Sequence, residues 1–141
     1  MLPYQFLRRL TEAVRPHLPD RGEPLHLEPH GRLLKIWYGA DKAIHYEVWV
    51  HERTVQLELG LHCEASPERN AQTRHGLSFY LFDLKVALGS GVELEEWDRG
   101  WVRLYETHPL YPLDELRLTE FAERVGLFIR TVQPIYEEVN R

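Results

Sequence analysis

The amino-acid sequence predicts an α+β fold, a two-layer sandwich in which helices cover one face of an antiparallel sheet. Three observations carry this expectation. Apolar residues recur at helical spacing near both ends and in the middle of the chain. Strict alternation runs through Leu34–Glu64, and a second, shorter alternating pair spans Val92–Glu106. The expected order is therefore helix, three strands, helix, two strands, helix. With 141 residues, 43% hydrophobic and 28% charged, the chain suits one core, so residues 1–141 are expected to form a single domain.

The first helix is expected over about 3–16, where Pro3 suits a first turn and Leu7, Leu10 and Val14 share a face until Pro16 and Pro19 intervene. A connector rich in Pro and Gly follows to Gly31, with room for a short extended piece around Leu25 to Leu27. In the next three strands Leu34, Ile36 and Tyr38, then Ile44, Tyr46, Val48 and Val50, then Val55, Leu57, Leu59, Leu61 and Cys63 form one apolar face. Cross-strand partners must share a face. Taking Glu52 and Arg53 as the loop pairs Val48 with Leu57, Tyr46 with Leu59 and Ile44 with Leu61, and brings Glu47 opposite Glu58. Between the first two strands the same condition sets Ile36 against Tyr46 and Leu34 against Val48.

Ser66-Pro67-Glu68 combines an N-cap, a first-turn proline and an acid suited to the helix dipole, and so opens the middle helix. Its stripe of Leu77, Leu81, Leu84 and Leu88 ends at Gly89-Ser90-Gly91, and Gly76 inside it marks a bend or a close approach. Val92–Glu96 and Val102–Glu106 form a hairpin that sets Leu94 against Leu104 and Glu95 against Arg103, with Trp97 and Trp101 stacking across it. The last helix begins near Asp114 or Thr119, and Pro134 is expected to kink it.

Charge and composition narrow the function. A net charge of −5 argues against a general nucleic-acid binder, which must neutralise phosphates with a basic surface. No apolar run suits a membrane span or a secretory signal, and Cys63 stands alone, so a cytoplasmic, reducing setting without disulfides is expected. The wealth of arginine over lysine reads as a bacterial coding bias. Gly89-Ser90-Gly91 follows a helix rather than a strand and is no phosphate loop, and neither Ser78 nor Ser90 has the glycine neighbours of a nucleophile elbow.

Alternation leaves His45, Glu47, Glu58 and His62 on the polar sheet face, a possible set of nitrogen and oxygen ligands for a divalent metal. Alternation alone would also produce this grouping. The expectation is accordingly that no cofactor is required, that metals do not stabilise the protein, and that Glu58→Gln is nearly neutral. On the same face Trp37, Trp49 and Lys35 are candidate binding residues, because large aromatics on a surface without helices suit a protein or peptide partner or a second subunit; the equal alternative is that the connector over 18–31 folds across and buries the two tryptophans.

In element order, length and acidity the chain resembles the small dimeric chaperones of type III secretion systems. His45-Tyr46-Glu47 and Leu59-Gly60-Leu61-His62-Cys63-Glu64 separately resemble segments of small bacterial proteins. Neither resemblance supplies catalytic residues. The first implies a non-enzymatic, homodimeric protein-interaction module. A metal-binding protein or metal-dependent enzyme built on the four His and Glu residues is the alternative.

Overall fold

Helical spacing and alternation resolve, in a computed structural model that describes residues 1–141, into three helices and a six-stranded antiparallel sheet. The elements are α1 (Pro3–Ala13), β1 (Leu25–His30), β2 (Leu33–Tyr38), β3 (Ile44–His51), β4 (Gln56–Cys63), α2 (Pro67–Leu88), β5 (Glu93–Glu96), β6 (Val102–Pro109) and α3 (Glu115–Val139). The sheet order is β1-β2-β3-β4-β6-β5. The expected α+β sandwich is present with one strand more than the sequence suggested. The connector contributes β1, an edge strand, where Pro29 leaves no interior ladder bond unmade.

All three helices pack on one sheet face. Phe6, Leu7 and Leu10 of α1, Leu77, Leu84 and Leu88 of α2, and Phe121, Val125, Phe128 and Val132 of α3 meet the apolar residues of β2, β3, β4 and β6 in one core. Cys63 belongs to this core, and burial pushes its thiol up to about 12, which keeps it unreactive. Ser66 caps α2 by accepting from the Arg69 amide, and Asp114 caps α3 by accepting from the Arg117 amide. α1 ends at Ala13, earlier than expected, and a 3-10 turn continues it over Arg15–His17. Gly76 marks close packing: a Cβ there would lie 2.4 Å from Val139 Cβ, where α2 meets the end of α3.

Register is where sequence and structure part. The β2–β3 pairs Leu34–Val48 and Ile36–Tyr46, and the β5–β6 pairs Leu94–Leu104 and Glu95–Arg103, are as expected. Between β3 and β4 the pairing is displaced by two residues: Val50 faces Leu57, Val48 faces Leu59, Tyr46 faces Leu61 and Ile44 faces Cys63. The loop is longer than two residues, running Glu52–Val55, and Val55 turns left-handed with φ 57° and is exposed. A two-residue hairpin requires residues that tolerate positive φ, usually Gly or Asn, and Glu52-Arg53 offers neither. Because the displacement is even, every side chain of the paired strands keeps its face, and only Val55 leaves the apolar face expected of it for the turn.

Candidate functional sites

Two surfaces stand out, the polar sheet face and the outer side of α2. On the sheet, corrected register sets His45 directly opposite His62, which in turn faces Arg103, and Arg103 faces Glu95. A neighbouring row runs Lys35, Glu47, Gly60 and Tyr105. Glu47 thus faces Gly60, not Glu58 as the sequence suggested. Gly60 is required there, since a Cβ would lie 2.8 Å from both the Leu104 carbonyl oxygen and Tyr105 Cβ.

The polar face, expected to be solvated or buried against a second copy, is closed over by side chains of the same chain. His45, Glu47, Glu58 and His62 are all buried, with Glu58 only 1% exposed. His45 Nδ1 donates to the Lys42 carbonyl oxygen at 2.9 Å, while its Nε2 lies 3.2 Å from Glu47 Oε1. His62 Nε2 lies 2.8 Å from Glu58 Oε2 and 3.5 Å from Glu47 Oε2, and its Nδ1 lies 3.7 Å from Glu64 Oε2. Glu58 also pairs with Arg103 and with His51, whose Nε2 is 3.2 Å away. Burial pushes the His62 imidazole down, but its bonds to Glu58 and Glu64 and the charge of Glu47 prevail and raise its pKa to about 9. Burial likewise raises the Glu58 carboxyl, and His62, Arg103 and His51 outweigh it to hold the group below its ordinary value.

The sequence-derived site residues therefore separate. His45, Glu47, Glu58 and His62 do come together, and Glu64, His51 and Arg103 join them. Glu64 was legible, because it lies two residues after His62 on the same face. Lys35 is the register neighbour of Glu47, yet the ion pairs of Glu47 are with His45 and His62 only. Trp37 is buried, stacked on His26 of β1 at 4.8 Å with Lys42 over its ring. Trp49 stacks on His51 and meets Trp97. Trp37 is thus held by His26 of the strand that the connector forms, nearer the connector alternative than an open aromatic surface, while Trp49 stays half-buried between His51 and Trp97. Trp97 turns onto His62 and Arg103 instead of stacking on Trp101.

The outer side of α2 is a different kind of surface. Phe79, Phe82 and Val86 are 73%, 77% and 71% exposed and lie at spacings of three and four on one helical stripe. His75 continues the stripe one turn earlier, its ring edge-on to Phe79 at 5.1 Å. Beside it runs a groove lined by Gln72, Gly76, Tyr80 and Val139. The sequence expectation for this helix rests on its core-facing leucines alone. The missed signal was that α2 is apolar on two sides, and a helix apolar all round calls for a second covering.

Comparison with protein-family models, curated proteins and solved structures gives no match. No helix is long and apolar enough to cross a membrane.

Proposed function

We propose that this chain is a non-enzymatic, cytoplasmic protein-interaction module that pairs with a second copy of itself through the outer stripe of α2. The observation that carries the reading is the exposure of Phe79, Phe82 and Val86 together on a helix whose opposite side is already in the core. Two aromatic rings and a valine, aligned and over two-thirds exposed, form an apolar surface of the kind that monomers seldom leave to solvent.

A second copy suits the stripe because its two halves are complementary. In a two-fold pairing of antiparallel α2 helices centred on Phe79, Phe82 of one copy lies over Gly76 of the other, at the groove floored by Gly76 and Val139. The same operation sets Asp83 against His75 and Val86 against Gln72. Self-complementarity of this kind is what an isologous contact requires. The unpaired Cys63 thiol in the core accords with a reducing compartment, and the order of elements, which resembles that of dimeric secretion chaperones, agrees with a homodimer. A dilution series followed by amide NMR tests the reading: resonances of residues 72–86 should move with concentration while those of β1 and β2 stay fixed. Concentration-independent α2 resonances would contradict it.

A further inference from the structure

We infer that the polar sheet face binds a divalent transition-metal ion between the imidazoles of His45 and His62 and the carboxylates of Glu47 and Glu64. The sequence expectation ran the other way because alternation explains why these residues share a face. It does not explain their burial or their mutual orientation. One ligand atom from each of the four lies within 4.8 Å of the others, and three of the four side chains are buried. Bonds of about 2.0–2.2 Å from a central ion require ligand atoms roughly 3–3.5 Å apart, so closure asks only modest rotations of Glu47 and Glu64.

Orientation is the stronger argument. A carbonyl oxygen can only accept, so the contact of His45 Nδ1 with the Lys42 oxygen places the ring hydrogen on Nδ1. Nε2 is then the ring nitrogen left for a ligand, directed at Glu47 Oε1. That nitrogen and the carboxylate oxygen, 3.2 Å apart, are at the separation of two ligands on one ion. His62 is held by Glu58 at Nε2, and its Nδ1 is turned to Glu64. A metal-bound histidine usually has its other nitrogen held by a carbonyl or carboxylate, and here Lys42 and Glu58 fill those outer positions.

Glu58 has the guanidinium of Arg103, whereas Glu47 and Glu64 have only imidazoles within ion-pair distance, the same groups that would share an ion with them. The Trp97 indole N–H, whose ring stands edge-on to His62 at 5.7 Å, is buried without an acceptor in the protein. Two imidazoles with two carboxylates favour zinc and its neighbours over calcium or magnesium, which take oxygen alone. Glu64 is the partly exposed member and gives the ion a route in.

The test is isothermal titration of untagged protein, stripped with chelator, with zinc chloride, accompanied by circular dichroism of every variant. The expected result is one zinc per chain. Glu64→Gln, at a partly exposed position that tolerates the change, should keep the fold and weaken binding by more than about 100-fold, and Glu58→Gln by about 10- to 100-fold. His30→Ala, at an exposed position at the end of β1, should leave the affinity unaltered. Absence of stoichiometric zinc binding, or binding that folded Glu64→Gln retains in full, would overturn the assignment.

Discussion

His45 Nε2 faces Glu47 Oε1 at 3.2 Å while its Nδ1 donates to the Lys42 carbonyl oxygen. In metal-free protein an amide at position 47 can instead donate to the imidazole. Glu47→Gln should therefore stay within about 1 kcal/mol of wild type in denaturant titrations with chelator present. Glu58→Gln should behave differently, because it strips Arg103 of its buried counter-charge. Its cost should be roughly 3 kcal/mol, the scale of breaking a buried pair by removing one partner. This reverses the near-neutrality expected when Glu58 is read as a solvated strand residue. A neutral Glu58→Gln would mean that Arg103 finds water as readily as a carboxylate.

A third buried carboxylate lies on the helix side of the sheet, where Glu106 of β6 accepts two bonds from Arg124 of α3, both at 2.7 Å, and one from His108. Burial raises the Glu106 carboxyl, but His108 and Arg124 outweigh it and hold the group below its ordinary 4.5. A folded-state value below the unfolded one means stability that is complete above the unfolded value and lost as pH falls through the folded value. The melting temperature should decline on acidification below about pH 4.5. Glu106→Gln should lower it at neutral pH and flatten that acid limb. An unaltered acid limb in the variant would show that other carboxylates govern the loss.

Gly76→Ala sets helix propensity against packing. Alanine favours the helix by about 1 kcal/mol over glycine. The new Cβ would meet Val139 Cβ at 2.4 Å, and separating α2 from α3 at that crossing costs about 1–3 kcal/mol. The net effect should be destabilising in chemical denaturation. A stabilised variant would mean that the end of α3 yields freely.

Val48→Asp and Leu57→Asp should each unfold the domain. Both side chains are fully buried on the apolar face, and an unpaired carboxylate there costs several kcal/mol, comparable to the stability of a whole small domain. Loss of the cooperative thermal transition is the readout. Retention of near-native melting in both would contradict the assignment of faces.

These variants also mark how far the sequence is legible. Alternation identifies the buried face of β2, β3 and β4 correctly because side-chain direction has a period of two and nothing else competes. It locates Glu47 and Glu58 on the other face as well. It does not report that neighbouring side chains roof that face, since burial depends on how far β1 and the β5–β6 hairpin reach over it. Nor does it fix the β3–β4 offset, which depends on the left-handed turn at Val55. The Phe79, Phe82 and Val86 stripe could have been read from spacing. It is masked by Leu77, Leu84 and Leu88, which suffice to explain a helix on their own.

The central claim is that the exposed face of α2 joins two copies, and mass in solution tests it most directly. Light scattering at micromolar concentration should give twice 16.7 kDa for the wild type. Phe79→Lys with Phe82→Lys should give the single-chain mass with an unchanged circular dichroism spectrum, since neither ring contributes to the core. A wild-type protein of 16.7 kDa, or a dimer that survives both substitutions, would contradict the account.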